Sequence, residues 1–265
     1  MLEFDFPALL PSLAFFLLVY LSAYFVVFRR HRPEFRKEAA SCFISLAHGT
    51  PVAAMAIFSL SSEPQFAKAA LSLSTNPKNF PESFPFAGPN TPFQAAILDY
   101  SIAYFLVDIL HYLIFFPSDV LFIGHHVATI FVLATCRYLT GYGAPGILSL
   151  LILAELTSAC QNTWTLARLQ RAHSKMAAKV YDSLTPAFYF VYTLVRGFMG
   201  PYFMYKMGVF YFTGGGDGVI PRWVSLSWVV VVVTAISVSA LWISNLWVEF
   251  YLEKLAKVKE VKKDQ

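Results

Sequence analysis

Seven apolar stretches dominate the sequence, and each is long enough to cross a lipid bilayer as a helix. They occupy residues 7–28, 38–60, 92–116, 119–140, 144–167, 181–206 and 223–250. The hydrocarbon core of a membrane is about 30 Å thick, which takes about 20 residues of α-helix to cross. A helix also satisfies its own backbone hydrogen bonds in hydrocarbon. The pattern therefore predicts an all-α fold, a polytopic transmembrane helical bundle of about seven spans.

The composition agrees with this prediction. Hydrophobic residues make up 57% of the chain and charged residues 14%, whereas soluble domains are about 45–50% apolar and about 25% charged. The first stretch is expected to be a retained anchor, because Glu3 and Asp5 precede it where a signal peptide carries basic residues. We expect a first span with a basic loop (1–38), a transmembrane domain (39–253) and a lysine-rich tail (254–265).

Basic residues collect on one side of the predicted bundle, after the first, fifth and seventh stretches. They are Arg29, Arg30, Arg32, Arg36, Lys37, Arg168, Arg171, Lys175, Lys179, Lys254, Lys257, Lys259, Lys262 and Lys263. The positive-inside rule places this side in the cytosol, so the N-terminus is expected to be lumenal and the C-terminus cytosolic. The net charge of +4 thus reflects topology and gives no reason to expect nucleic-acid binding.

The chain ends in Lys262-Lys263-Asp264-Gln265, a pattern similar to dilysine signals that return proteins to the endoplasmic reticulum. Coat proteins read such signals in the cytosol, where the charge distribution also places this tail. The sequence therefore predicts an endoplasmic-reticulum membrane protein whose Lys262 and Lys263 are recognised by coat proteins.

Ionisable side chains inside the predicted spans indicate a candidate site, because such groups are costly in hydrocarbon and are functional candidates by default. His125 and His126 lie near the start of the fourth stretch, and Asp108 and His111 lie near the end of the third. Pro117 breaks the helix between them, so these two stretches form an antiparallel hairpin. Counting from that turn places the three imidazoles on the order of 9 Å inside the membrane on the cytosolic side.

Other stretches contribute polar residues at overlapping depths. Glu155, Ser158 and Asn162 follow an i, i+3, i+7 pattern, which puts them in a single stripe of one helix. His48 lies in the second stretch and Arg196 in the sixth. Because lipid-facing positions for so many polar groups would be prohibitive, we expect them to face a common interior.

The two adjacent histidines cannot point the same way, since neighbours on a helix are about 100° apart. One is expected to face a cavity, and the other to pack against a helix and donate to a carboxylate or carbonyl. Asp108 or Glu155 would orient such a ring. For His48 and Asn162 alone, plain helix bridging is the alternative. Arg196 either binds an acidic headgroup or pairs with a carboxylate.

Several other chemistries lack their sequence patterns. There is no H-E-x-x-H pattern, and the chain has too few histidines for the repeated boxes of di-iron membrane oxygenases, so no metal is expected. A G-x-S-x-G nucleophile elbow is also missing. The sequence shows no internal repeat, which weakens an interpretation as a repeat-built transporter.

The polar residues of this region resemble the TLC domain. The similarity is carried by Tyr104-Phe105-Leu106-Val107-Asp108, by His125-His126-Val127-Ala128-Thr129, and by Glu155-Leu156-Thr157-Ser158 with Asn162-Thr163-Trp164. That family joins the translocation-associated membrane proteins, the longevity-assurance ceramide synthases and the neuronal ceroid lipofuscinosis membrane protein. The similarity covers roughly residues 39–253. The short chain resembles the small members of the family, including a plant branch.

In the ceramide synthases, paired histidines and a later His-Asp-x-x-Asp motif serve acyl transfer from acyl-CoA to a sphingoid amine. The resemblance implies that His125 or His126 is the acyl-accepting nucleophile or the base. This sequence departs from the later motif. Ala154-Glu155 stands where the family has His-Asp, and Ser158 stands where the next Asp belongs.

Two functions follow as hypotheses. The first is a non-catalytic protein of membrane lipid homeostasis that binds a lipid or fatty acyl chain, with candidate binding residues His48, His111, Ser158, Asn162 and Arg196. The alternative is an acyl-CoA-dependent lipid N-acyltransferase, with candidate catalytic residues His125, His126, Asp108 and Glu155. Acyl-CoA would be its co-substrate, and no cofactor is expected. The missing His-Asp-x-x-Asp motif favours the first hypothesis.

Overall fold

The computed structural model describes residues 8–64 and 85–263, with side chains up to residue 255. Most of the predicted loop between the second and third stretches, the side chains of Lys262 and Lys263, and the last two residues lie outside the described residues. Within the described ranges the regular structure is helical, apart from one isolated β-bridge between Pro89 and Tyr142. The predicted all-α fold class is confirmed.

Nine helices follow one another along the described chain. They are α1 (Leu9–Ser22), α2 (Pro33–Ser61), α3 (Pro92–Phe115), α4 (Val120–Ala134), α5 (Ala144–Glu155), α6 (Ser158–Gln170), α7 (Lys175–Tyr192), α8 (Gly200–Phe212) and α9 (Arg222–Lys263). Three π-helical segments continue α1, α4 and α7, at Ala23–Val27, Thr135–Thr140 and Thr193–Met199. π-Helical turns are rare in proteins, and those that occur often lie at functional sites.

Six helical segments of the described chain are long and apolar enough to cross a membrane. They are Leu9–Val27, Pro33–Ser61, Pro92–Phe115, Val120–Thr140, Ala144–Gln170 and Arg222–Leu255. The remaining predicted span, 181–206, falls on α7, its π-helical continuation and α8. That segment is helical throughout, but Arg196, two prolines and five tyrosines make it less apolar than the others. The chain is an integral multi-pass membrane protein.

The fifth predicted span is interrupted, whereas the i, i+3, i+7 stripe of polar residues predicts one continuous helix. The helix α5 ends at Glu155, α6 begins at Ser158, and Leu156 and Thr157 form a turn between them. Irregular backbone at membrane depth is tolerated where surrounding protein buries it. Thr157 is 2% exposed whereas Leu156 is 51% exposed, so one side of this break faces the bundle interior.

The helix α3 is central, because it packs against α1, α2, α4 and α5. Its start is fixed by a capping box, in which the Thr91 hydroxyl accepts from the Gln94 N–H and the Gln94 side chain accepts from the Thr91 N–H. Pro92 suits the first turn, where its missing N–H costs nothing. Leu98 and Ala103 are inaccessible. Polar side chains on α3 are therefore surrounded by protein rather than lipid.

Asn90 joins three elements at the start of α3. Its Nδ2 donates to the Cys136 carbonyl at 2.8 Å, and its Oδ1 accepts from the Ala144 backbone N–H at 2.9 Å. Cys136 belongs to the π-helical segment that ends α4, where backbone carbonyls lose their regular partners. The Asn90 bonds satisfy these groups and hold the end of α4 and the start of α5 together.

Gly49 allows α2 to approach the break between α5 and α6 closely. A Cβ atom at this position would lie 2.6 Å from Glu155 Oε2 and 2.7 Å from the Cβ of Ser158. Real Cβ atoms do not approach other atoms this closely, so only glycine fits without a shift of α2 or of the broken span. Gly124 on α4 is a contrasting case, because a Cβ there meets nothing within 4 Å.

We predict that Gly49→Ala lowers the melting temperature of the detergent-solubilised protein, because overpacking costs about 1–3 kcal/mol. The matched variant Gly124→Ala is expected to be neutral or slightly stabilising, since alanine favours a helix by up to about 1 kcal/mol over glycine. Thermal unfolding followed by circular dichroism compares the two. Equal melting temperatures for both variants would contradict the close approach at Gly49.

Candidate functional site: a polar cluster inside the helix bundle

Asp108 on α3 is the centre of a buried hydrogen-bond network. Its Oδ1 accepts from the Ser41 hydroxyl of α2 at 2.8 Å, and its Oδ2 lies 2.9 Å from His126 Nε2 of α4. The Tyr104 hydroxyl donates to Oδ2 over a longer distance of 3.4 Å. Asp108 is 1% exposed and His126 2% exposed. Side chains of three helices thus converge on one carboxyl group.

The hydrogen bonds of His126 imply that it shares a proton with Asp108. Its Nδ1 lies 3.0 Å from the Phe122 backbone carbonyl, which only accepts, so Nδ1 carries a hydrogen and donates it. Its Nε2 faces a carboxylate oxygen, so a second proton lies between the two groups, on the imidazole or on the carboxyl. Either arrangement makes the pair neutral overall. A neutral pair tolerates burial far better than a lone carboxylate.

His125, the adjacent histidine, points away from this network. Its side chain is exposed, and within the described part of the chain its ring nitrogens make no hydrogen bond. The two imidazole rings are nearly perpendicular, at 84°, with centroids 5.8 Å apart. The structure therefore divides the pair between two roles. His126 has both nitrogens engaged in the bundle, whereas His125 has both available to a ligand.

His48 on α2 extends the polar groups toward α5. Its Nε2 lies 3.1 Å from the Ser101 hydroxyl of α3, and its Nδ1 lies 3.9 Å from Glu155 Oε1. The second distance is too long for a hydrogen bond, and the buried Nδ1 has no partner among the described residues. The imidazole stacks on the Tyr104 ring with centroids 4.1 Å apart. Packing thus holds His48 close to Glu155, slightly beyond hydrogen-bond distance.

Glu155, Ser158 and Asn162 meet at the helix break as the sequence stripe suggested, although not on one helix. The Ser158 hydroxyl donates to Glu155 Oε2 at 2.5 Å, a bond that bridges the break. Asn162 Nδ2 donates to the Ser45 hydroxyl of α2 at 2.9 Å and to the Ser158 carbonyl at 2.8 Å. The positive end of the α6 dipole also favours the nearby carboxylate. We refer to Asp108, His126, His48, Glu155 and Ser158 as the polar cluster.

Arg196 approaches the polar cluster from the π-helical segment Thr193–Met199. Its guanidinium donates to the Ala154 carbonyl, at the end of α5, and lies 5.3 Å from the centroid of the Tyr192 ring. Its charge acts on both Glu155 and His125. The buried Nε has no hydrogen-bond partner in the described ranges. Arg196 therefore stabilises the broken helix and still has donors available beside His125.

His111 lies apart from the polar cluster. Its Nδ1 is 2.8 Å from the Tyr20 hydroxyl of α1, and its ring packs beside Phe115 and Phe116. The depth estimated from the sequence puts His111 level with the histidine pair, but that estimate says nothing about direction. The structure turns the ring toward α1. A lipid-binding role of His111 stays a prediction.

Sequence reasoning missed the hydroxyl partners of the network and one further ion pair. The hydroxyl partners are Ser41, Ser45 and Ser101. The ion pair joins the fully buried Asp99 to Arg137 Nε at 3.1 Å, and the Tyr138 hydroxyl also donates to Asp99 at 2.7 Å. The sequence did contain a signal for this ion pair. Asp99 lies near the start of one helix of the predicted hairpin and Arg137 near the end of the other, so the two residues lie at the same level. Serines in apolar helices carry no such signal.

The donors of this site are arranged for polar contacts and proton sharing. Among the described residues, no group of three or more His, Cys, Asp or Glu side chains could hold a metal ion. Asp108 and His126 are occupied with each other, whereas His125 and Arg196 retain free donors or acceptors. A ligand at this site would therefore meet an accessible imidazole and a guanidinium, with the Glu155 carboxyl close by.

Comparison with known proteins identifies the class of the molecule. The TLC domain family matches residues 38–248. A TLC domain-containing protein of Arabidopsis thaliana is 51% identical over 235 residues, which is 87% of this chain and 84% of that relative. The chain belongs to the TLC domain family, and the resemblance seen in the residues is confirmed. No solved structure matches the chain.

We predict that His126→Ala is strongly destabilising whereas His125→Ala is not. Removing His126 leaves Asp108 buried without its partner, which costs on the order of 3 kcal/mol. Removing the exposed His125 should change the unfolding free energy by less than about 0.5 kcal/mol. Melting temperatures of the two purified variants in detergent test the division of the pair. Equal losses of stability would contradict it.

Proposed function

We propose that this protein acts in membrane lipid homeostasis by binding a lipid in a polar cavity beside His125, with the polar headgroup at Arg196 and Glu155. The observation that carries the proposal is the exposed, unpartnered imidazole of His125 on an apolar helix. In hydrocarbon such a group is costly, so it is expected to meet a polar partner. The described protein supplies none, and a bound headgroup would.

The packing of α4 leaves the side of this helix toward α5 and α6 without close helix contacts. This helix packs against α3 and more lightly against α9, but not closely against α5 or α6. We place the headgroup between His125 and Arg196, whose charge acts on the imidazole. A headgroup there would meet a cation, a carboxyl group and an imidazole within one small region. Its acyl chain would pass between α4 and α9 into the apolar surroundings.

The division of the histidine pair also supports a binding role. The chemically central Asp108 and His126 are enclosed and satisfied, so they fix the bundle rather than contact a ligand. The Ser158 hydroxyl is likewise occupied by Glu155. Arg196 and His125 present unused polar atoms at the edge of the polar cluster, whereas the unpartnered Nδ1 of His48 is fully enclosed in the described chain. Two such groups suffice to hold a headgroup and do not by themselves define a catalytic apparatus.

A specific observation favours one alternative, a lipid acyltransferase. His125 is an accessible imidazole free to attack a thioester, with a cation at hand for the developing negative charge. A ring nitrogen would bond to the acyl carbon, the C–S bond would break, and the leaving thiolate would take up the proton that the acylated ring gives up. A lipid amine would then attack the acyl carbon, the bond between that carbon and the ring nitrogen would break, and the proton lost by the amine would return to the imidazole. The family's His-Asp-x-x-Asp motif is absent, which places this alternative second.

Mass spectrometry of the purified protein and its extracted lipid separates the two functions. We expect a specific lipid bound without a covalent bond, whose occupancy falls about tenfold in Arg196→Gln because a charge-assisted hydrogen bond is lost. The control Arg168→Gln removes an exposed arginine of α6 and should retain the lipid. A covalent acyl adduct on wild-type protein that disappears in His125→Ala would favour the acyltransferase. Equal occupancy in both arginine variants would overturn the proposed headgroup contact.

We also propose an endoplasmic-reticulum location with the N-terminus in the lumen and the C-terminus in the cytosol. The concentration of basic residues around the α1–α2 and α6–α7 connections and along the tail supports this orientation. The terminal Lys262-Lys263 pattern supports the location.

Appending a few residues after Gln265 should release the protein from the endoplasmic reticulum, because the two lysines would no longer stand at their required distance from the terminus. Fluorescence microscopy of the extended and the unmodified chains in cells measures this. A matched chain with both lysines replaced by arginine should behave like the extended one. An unchanged location in both cases would remove the retrieval signal from consideration.

A further inference from the structure

A second polar site lies where α1, α2 and α3 meet, at the end of the bundle that carries the basic residues. We call it the α1–α3 corner, and it consists of Tyr20, Tyr24, Arg36, Lys37, His111 and Phe115. The Arg36 guanidinium lies 4.4 Å from the Tyr24 ring centroid, and the Lys37 ammonium lies 5.4 Å from that of Phe115. The Tyr24 and Phe115 rings are stacked, with centroids 5.7 Å apart. Two cations are thereby held side by side on an aromatic wall.

Neither cation of the α1–α3 corner is neutralised within the described residues. The ion pairs of the described chain involve other side chains and leave out Arg36 and Lys37. One Arg36 nitrogen donates to the Tyr24 hydroxyl at 3.4 Å, but its Nε is buried and has no partner in this part of the chain. The carboxyl groups of Glu38 and Asp119 repel each other, and neither forms an ion pair with Arg36 or Lys37 in the described chain. Aromatic rings rather than a carboxylate therefore contact both Arg36 and Lys37.

His111 places a second unpartnered polar nitrogen in the same corner, beside that of Arg36. Its side chain is 98% buried, and its ring centroid lies 5.2 Å from that of Phe115. The Nδ1 contact with the Tyr20 hydroxyl leaves Nε2 as the ring nitrogen that can face a ligand, and phosphate binding there requires the tautomer with its hydrogen on Nε2, in which the Tyr20 hydroxyl donates to Nδ1. That Nε2 is buried and has no partner among the described residues. Buried donors without partners are rare in folded proteins, and an unoccupied ligand position is a common reason for them.

We infer that the α1–α3 corner binds the phosphate of an anionic phospholipid, separately from the cavity beside His125. Arginine and lysine are the usual phosphate partners in proteins, and the cations and unused N–H donors gathered here suit the oxygens of a phosphate diester. The start of α2 points the positive end of its dipole at the same region.

A lipid fits this corner better than a free anion. The π-helical end of α1 beside Tyr24 carries large exposed apolar side chains, with Phe25 61% exposed and Val26 66% exposed. These side chains offer a surface for acyl chains directly next to the cations. Anionic lipids attract basic residues beside membrane spans by about 1 kcal/mol per residue even without a specific pocket. The corner adds buried donors to that general attraction.

Native mass spectrometry with added phosphatidylglycerol or phosphatidylcholine tests this site. We expect wild-type protein to retain phosphatidylglycerol in preference to phosphatidylcholine. The double variant Arg36→Gln/Lys37→Gln should lower the phosphatidylglycerol affinity at least about tenfold. The matched double variant Arg29→Gln/Arg30→Gln removes the same charge from exposed positions in the α1–α2 connection, and its affinity should stay within about threefold of wild type.

Three outcomes would overturn the assignment. Equal losses in the two double variants would mean diffuse attraction to the whole basic end. Equal retention of the two lipids by wild-type protein would remove the preference for an anionic headgroup, and this arm needs no variant to fold. If inorganic phosphate raises the melting temperature of wild-type protein as much as phosphatidylglycerol does, the site binds a soluble anion instead. The variant His111→Phe keeps an aromatic ring but removes the Nε2–H group. It should lower the affinity for phosphatidylglycerol and leave the affinity for phosphatidylcholine unchanged.

Discussion

The burial of the Asp108 carboxyl group is the constraint on which the rest of the site depends. A carboxyl group that is 1% exposed in a membrane bundle must find donors within the protein, since neither water nor lipid can supply them. Ser41, Tyr104 and His126 provide them from α2, α3 and α4. The need to satisfy one acid therefore fixes the relative positions of three helices, and with them the direction in which α4 turns its remaining polar side chain.

Irregular backbone gives the site its second half. The break between α5 and α6 brings Glu155 against Ser158, and the π-helical segment after α7 lets Arg196 reach the Ala154 carbonyl. Gly49 lets α2 come close enough to enclose this junction. A regular helix has all its interior carbonyls paired, so an arginine would find nothing to bind there. The interruption of the helix is what attaches a cation to the edge of the polar cluster.

The sequence predicted six of the membrane-spanning segments and the residues of the polar cluster, because hydrophobic length and the cost of ionisable groups in hydrocarbon can be judged from the sequence alone. It also predicted that two adjacent histidines must diverge, since helix geometry requires it. It did not predict which of the two binds Asp108, because that depends on how α4 rotates against α3. The break after Glu155 and the turn of His111 toward Tyr20 were missed for the same reason. Both follow from tertiary packing, which overrides the regular helix that local pattern implies.

The separation of His125 from His126 bears on how far the function of distant family members extends to this chain. A histidine pair is a sequence feature, but only one of its members is chemically available once Asp108 has engaged the other. Because the later His-Asp-x-x-Asp motif is absent, the chain lacks the further side chains that would assist His125 in acyl transfer. What is left beside His125 is the charge of Arg196 and a Glu155 already bound to Ser158. Such a set can hold a polar headgroup with the atoms it has, whereas acyl transfer would require His125 to act almost alone.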